Sequence, residues 1–204
     1  MGIIRNLPEL DAALDNAASH DGRLRDALRA VRRVPLRKRG QGFQTLLYAI
    51  VGQQISVNAA AAIWQRLKEA GLTRILTVRS ASDEQLASCG LSRPKIRYAR
   101  ELAAARIDYR TLRQLSTEEI VERLTRVPGI GRWTAEIYAL FALGQADAFP
   151  AGDLALQESV RLLYELPTRP TEKELRTFSE RWSPHRGAVA RLLWEYYALR
   201  KKGL

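Results

Sequence analysis

One carboxylate in this sequence stands where a carboxylate can do chemistry. Asp153 follows Phe149-Pro150-Ala151-Gly152 and opens the helical run Leu154-Ala155-Leu156-Gln157. At a helix start an Asp side chain accepts hydrogen bonds from the free N–H groups of the first turn, which caps the helix. Those N–H groups and the positive end of the helix would keep the carboxylate ionised. An anion held in that way can stabilise a sugar that turns cationic as its glycosidic bond breaks, and can orient a water toward it. Capping and catalysis are compatible, and the residues alone leave both readings open. No second carboxylate stands at an evident partner spacing, which argues against a two-carboxylate sugar hydrolase.

Upstream, Val127-Pro128-Gly129-Ile130-Gly131-Arg132-Trp133-Thr134-Ala135 joins two amphipathic stretches. Ile120, Val121, Leu124 and Val127 share one face before it, and Ile137, Tyr138 and Phe141 follow at core spacing after it. Two glycines two apart permit a tight turn, and the N–H groups around them can be aimed at one phosphate. Ile130 is placed to anchor the turn between its own helices. Such a hairpin grips backbone and reads no bases. A bare Gly-x-Gly signals only a turn, whereas the whole Val-Pro-Gly-Ile-Gly between amphipathic helices is far more specific.

The elements that must position these residues are helices. Ala and Leu are abundant, alternating β-branched runs are almost absent, and apolar residues recur at helical spacing over about 21–33, 41–51, 56–70, 82–89, 93–106, 116–127, 132–143, 153–165, 171–182 and 185–201. Ser82 with Gln85, Ser116 with Glu119 and Thr171 with Glu174 have the spacing of capping boxes, and Gly71, Gly90 and Gly144 read as helix stops. Breaks near Pro35 and Gly144 are candidate crossings between two lobes.

The 204 residues carry 33 Lys and Arg against 22 Asp and Glu, a net charge of +11 that points to a polyanionic partner. No acidic residue lies between Asp26 and Glu69, a stretch holding Arg29, Arg32, Arg33, Arg37, Lys38, Arg39, Arg66 and Lys68; Arg93, Lys95, Arg97 and Arg100 form a second cluster. Next to the hairpin motif, both favour phosphate binding over a merely solvated face. Cys89 is the single cysteine, which excludes a disulfide framework, a Cys-rich zinc site and a four-Cys iron–sulfur cluster. His20 and His185 stand in unrelated contexts, so no protein-ligated metal is expected. There is no secretory signal and no apolar run long enough to span a membrane. The expectation is a soluble, cytoplasmic, DNA-associated monomer.

Taken together, Val127-Pro-Gly-Ile-Gly-Arg-Trp-Thr-Ala135 and Asp147-Ala-Phe-Pro-Ala-Gly-Asp-Leu-Ala-Leu156 resemble the helix-hairpin-helix DNA glycosylases with a Gly/Pro-rich loop and a catalytic Asp, and among them the 3-methyladenine DNA glycosylase II branch. Ala49-Ile-Val-Gly-Gln-Gln-Ile-Ser56, Gly90-Leu-Ser-Arg-Pro-Lys95, and Trp182-Ser-Pro-His-Arg-Gly187 with Trp194 agree, so the likeness runs from about Phe43 to Trp194. It implies an all-α fold of two lobes with the active-site cleft between them, one lobe from about 35–144 and the other from both chain ends, about 1–34 and 145–204. Larger bacterial enzymes of the branch carry an extra N-terminal domain of mixed sheet and helix. A chain of 204 residues has no room for it, so the shorter form is expected.

By position, the resemblance makes Asp153 the catalytic carboxylate and gives Pro128, Gly129, Ile130, Gly131 and Arg132 to DNA backbone, often with a monovalent cation in the hairpin. Trp133 and Trp194 become base-pocket aromatics, and Gln53 and Gln54 DNA contacts. Gln54 stands where family members insert a side chain, often apolar, into the gap left by a flipped nucleotide. Ile137 replaces an aromatic expected one turn after Trp133, and Glu195 stands where an aromatic can occur; both bear on lesion range, not reaction class. Relatives that also nick the strand place at position 133 a lysine that forms a Schiff base. A tryptophan there, with no family placement for Lys68, Lys95 or Lys173, implies a water-using, monofunctional enzyme for alkylated purines in duplex DNA. The alternatives are a non-catalytic helix-hairpin-helix protein that binds damaged DNA and, less favoured, a bifunctional glycosylase/lyase.

Overall fold

The computed structural model describes residues 2–203. Its helices are α1 (Leu7–Ser19), α2 (Gly22–Val31), α3 (Phe43–Val51), α4 (Val57–Glu69), α5 (Ile75–Ser80), α6 (Asp83–Ser88), α7 (Arg93–Ala104), α8 (Thr117–Thr125), α9 (Arg132–Tyr138), α10 (Leu154–Tyr164), α11 (Glu172–Ser179) and α12 (Arg186–Lys202). Short 3₁₀ turns cover Thr111–Gln114 and Glu180–Trp182, and a π-helical turn covers Ala139–Leu143. Among the described residues no strand forms, only an isolated bridge between Ile3 and Gln145. No described helix is long and apolar enough to cross a membrane.

The three expected capping boxes are formed, at Ser82, Ser116 and Thr171. The three expected glycine stops, Gly71, Gly90 and Gly144, all have positive φ. Two helices go beyond the sequence reading. For α1, Asn6 caps the helix through Glu9 N–H, Pro8 sits in its first turn, and Leu10, Ala13, Leu14, Ala17 and Ala18 are buried. Helix α5 is a six-residue connector that buries only Val78. The run expected as one helix over 132–143 changes to π geometry at Ala139, and the run over 171–182 ends in a 3₁₀ turn.

The chain divides into two compact units. One comprises Met1–Lys38 with Ala139–Leu204, the other Arg39–Tyr138. The boundaries thus fall between Lys38 and Arg39 and between Tyr138 and Ala139, within a few residues of the breaks near Pro35 and Gly144; the terminal positions Met1 and Leu204 of the expected end lobe lie outside the described residues. Gly144 is internal to the first unit, where its carbonyl accepts the Ile4 N–H at 2.8 Å.

In the Arg39–Tyr138 unit, Val51, Leu67, Leu72, Leu86, Leu91 and Ile96 form an apolar cluster that includes Cys89. Helix α9 is tied to the start of α3 by Gly42 N–H donating to the Tyr138 hydroxyl at 2.9 Å. In the other unit, α12 is the central helix. Every residue from Gly187 to Leu193 is buried, so its first two turns are enclosed on all sides. Gly187 makes that possible, because a Cβ there would lie 2.7 Å from Leu140 Cδ1 and 2.8 Å from the Ala146 carbonyl.

Candidate functional site

The hairpin between α8 and α9 is built from both sides. Gly129 has φ +89°, and a Cβ on it would sit 2.3 Å from Cγ of Tyr98 on α7. The position therefore needs glycine for conformation and for space. Gly131 is exposed, and a Cβ there would meet nothing within 4 Å. Pro128 is exposed beside them. Among the hydrogen bonds of the described residues, none uses the N–H of Gly129 or Gly131.

Three residues expected on DNA also hold the hairpin together. Ile130 is 3% exposed and its N–H donates to the Val127 carbonyl at 3.0 Å, so it anchors the turn. Gln53 donates from Nε2 to the Gly129 carbonyl at 2.7 Å. Arg132 reaches Glu118 of α8 at 2.6 Å and the buried Glu136 of α9 at 3.0 Å. It links the two hairpin helices to each other. Sequence position alone could not show these partners.

The turn between α3 and α4 presents Gln54. It is exposed, with φ +57°, a left-handed conformation uncommon for a non-glycine residue. Ser56 caps α4 through the Ala59 N–H at 3.2 Å. Lys95 donates from Nζ to the Val51 carbonyl at 2.7 Å, and burial pushes its ammonium pKa down. Just after Gln54, Ile55 is 37% and Val57 80% exposed, so the tip carries apolar surface that the sequence reading did not single out.

Much of the basic excess is also structural. Arg66 donates to the Cys89 carbonyl, Arg100 binds Asp83 and the Ala81 carbonyl, and Arg37 pairs with Glu195. Glu195 thereby has a partner of its own where the family can place an aromatic. Ile137 is buried in α9. Trp133, one turn earlier, is 45% exposed and offers ring surface to solvent.

Asp153 caps α10, and its Oδ1 accepts from Ala155 N–H at 3.0 Å and Leu156 N–H at 3.1 Å. A third donor, unforeseen from sequence, is the indole Nε1–H of Trp194 on α12, at 3.1 Å from the same oxygen. Trp194 is half-buried and stacks on Phe141, with ring centroids 5.5 Å apart and planes 30° apart. In this structure Trp194 is a partner of the carboxylate, a role beside its expected one as a base-pocket wall. Two amides at the positive end of an eleven-residue helix and one indole N–H therefore hold Oδ1 of the carboxylate. A second carboxylate lies near: a Cβ on Gly152 would approach Glu172 Oε2 to 3.0 Å. Glu172 is half-exposed and paired with Arg176 at 2.8 Å. Among the described residues no group of three His, Cys, Asp or Glu gathers as a metal site.

Residues 47–185 match the model of the HhH-GPD superfamily base excision DNA repair protein. DNA-3-methyladenine glycosylase 1 of Schizosaccharomyces pombe is 35% identical over 162 residues, covering 75% of this chain and 71% of that protein. The solved structure of an S. pombe 3-methyladenine DNA glycosylase in complex with abasic DNA superposes with a TM-score of 0.79 at 31% identity, covering 90% of this chain and 95% of that one. A DNA-3-methyladenine glycosidase from Bacillus halodurans gives a TM-score of 0.84 at 29% identity over 93% of this chain and 91% of that one.

Proposed function

The chain belongs to the HhH-GPD superfamily of base excision DNA repair proteins, and we propose that within it the protein is a monofunctional glycosylase of the 3-methyladenine DNA glycosylase II type. It releases alkylated purines such as 3-methyladenine from duplex DNA and leaves an abasic site. The observation that carries this reading is the Asp153 carboxylate, capped on α10 and held by Trp194.

The chemistry follows from charge. Alkylation of a purine ring nitrogen makes the base cationic, so it departs as a neutral molecule without strong help from an acid. As its bond to the sugar stretches, positive charge grows on the sugar, and a pre-aligned carboxylate stabilises it. Asp153 then orients the water that adds to the sugar carbon, and the water's proton passes to the Asp153 carboxylate and on to solvent. The exposed indole of Trp133 attracts a cationic base by roughly 0.5–2 kcal/mol. Damaged bases flip out at lower cost than intact pairs, which adds selectivity. Gly129 and Gly131 amides hold backbone phosphate, and Gln54 fills the gap in the duplex. The hairpin offers a monovalent cation only main-chain carbonyls, and Val127 and Gly129 each already accept one hydrogen bond there. Such an ion would tie the hairpin to phosphate, and no chemical step depends on it.

The test is chromatography of bases released from methylated duplex, with borohydride present in a parallel reaction. Methylated purines should appear with both strands intact and no trapped adduct, because no imine forms. A trapped adduct lost on replacing one lysine contradicts the monofunctional reading. Tight binding without base release favours the non-catalytic alternative.

A further inference from the structure

Behind Trp194 lies a buried cation that the chemistry above does not use. Arg191 sits one turn before Trp194 on α12 and is 3% exposed. None of its described partners is a carboxylate. Nε donates to the Leu36 carbonyl at 3.2 Å, Nη1 to the Gly187 carbonyl at 2.8 Å, and Nη2 to the Leu140 carbonyl at 2.8 Å. Its guanidinium carbon lies 5.1 Å from the centroid of the Phe141 ring. Burial lowers its pKa to about 10, so it stays charged at neutral pH.

A cation this deep costs stability, and a methionine of similar length would not incur that cost. The contacts suggest what the guanidinium does. Leu140 and Phe141 belong to the π-helical turn Ala139–Leu143, whose carbonyls fall out of the ordinary ladder; Gln145 N–H takes the Ala139 carbonyl, and Arg191 takes that of Leu140. Arg191 thus holds both the backbone beside Phe141 and the face of its ring. Phe141 is the ring on which Trp194 stacks, and Trp194 donates to Asp153.

We propose that Arg191 is a positioning residue for base excision: through the Phe141 ring it sets the plane of Trp194, and so the direction of the N–H that holds Asp153. The proposal rests on the reading of Asp153 as the catalytic carboxylate. The planar fork of arginine suits three carbonyls at fixed directions, which lysine cannot match.

The test uses Arg191→Met, Phe141→Leu and their combination, with two readouts. The four tryptophans give four indole N–H signals in a nitrogen-correlated NMR spectrum, and Trp194→Phe identifies one of them by its loss. Arg191→Met should shift the Trp194 signal and slow single-turnover excision about ten-fold, the scale of a slightly misaligned catalytic group, with DNA affinity little changed. Phe141→Leu should do the same, and the combined variant should be no slower than the worse single one, because both act along one path. Leu10→Ala in α1, a destabilising control, should lower the melting temperature without slowing excision. Parental excision by folded Arg191→Met, an unmoved Trp194 signal, multiplying losses in the combined variant, or equal slowing by Leu10→Ala each overturns the proposal. If Arg191→Met fails to fold, Phe141→Leu decides by the same two readouts. The Trp194 signal does not depend on activity. An Asp153→Asn variant that excises normally would therefore sink the catalytic reading without being confused with a failure of this coupling.

Discussion

Replacing Gly129 by alanine puts the hairpin's construction to a quantitative test. The substitution forces a Cβ into φ +89° and into Tyr98, whose Cγ, Cβ and Cδ2 would lie 2.3, 2.6 and 2.7 Å away. A non-glycine residue in a sparsely populated backbone region costs about 1–3 kcal/mol. Overpacking against the half-buried Tyr98 ring costs about 1–3 kcal/mol more. A loss near 3 kcal/mol is expected, or roughly 6–12 °C in melting temperature for a chain of this size. Gly131→Ala meets no neighbour and should stay within about 0.5 kcal/mol of the parent. Adding Tyr98→Ala to Gly129→Ala removes the clash but not the backbone strain. Urea denaturation of the parent, Tyr98→Ala, Gly129→Ala and the double variant should therefore show a favourable coupling of about 1–3 kcal/mol between positions 98 and 129. Equal midpoints for Gly129→Ala and Gly131→Ala, or strict additivity of the pair, would refute the packing argument.

Trp194→Phe keeps an aromatic ring on Phe141 but removes a donor to a charged acceptor, a bond worth about 1.5–3 kcal/mol; rapid-quench excision should slow by about ten-fold or more while duplex affinity holds, and a parental rate would show that the two amides suffice. Gly131→Asp sets an anion against phosphate and should weaken fluorescence-anisotropy binding of damaged and undamaged duplex alike, with little change in melting temperature; normal binding removes the hairpin from the DNA contact. Asp21 is raised by burial, but hydrogen bonds from Tyr164, Trp182 and the Leu24 and Arg23 amides outweigh this and hold it below the ordinary carboxylate range. A depressed folded pKa gives stability that is present at neutral pH and lost as pH falls through that range toward the folded value. Asp21→Asn should therefore flatten the acid limb of urea midpoints below about pH 4, and an unchanged slope would show that Asp21 does not contribute it.

What was legible in the sequence was mostly local. Capping boxes, glycine stops and helical periodicity are written within a few residues, and Asp153 was readable as a cap with a second use. The first helix is equally legible in Asn6-Leu7-Pro8-Glu9, a cap, a first-turn proline and an acid at capping-box spacing. What escaped is tertiary. The run Ala139-Leu-Phe-Ala-Leu143 has uniform helical propensity; its π turn coincides with carbonyl partners from Gln145 and Arg191 that local sequence cannot supply. Arg132 and Gln53 looked like DNA ligands because basic and amide side chains near a phosphate loop usually are. Their distances to Glu118, Glu136 and the Gly129 carbonyl give them a part in the scaffold that local sequence does not show. The Trp194 contact with Asp153 joins positions 41 residues apart, beyond any motif.

The central claim is that the Asp153 carboxylate carries the reaction. Asp153→Asn keeps an oxygen to cap α10 and removes only the charge. Single-turnover release of 3-methyladenine from methylated duplex should fall by at least about 100-fold, as expected for the loss of one electrostatic contact worth about 3 kcal/mol, while affinity for the same duplex stays within a few-fold. Excision at the parental rate by this variant would contradict the account.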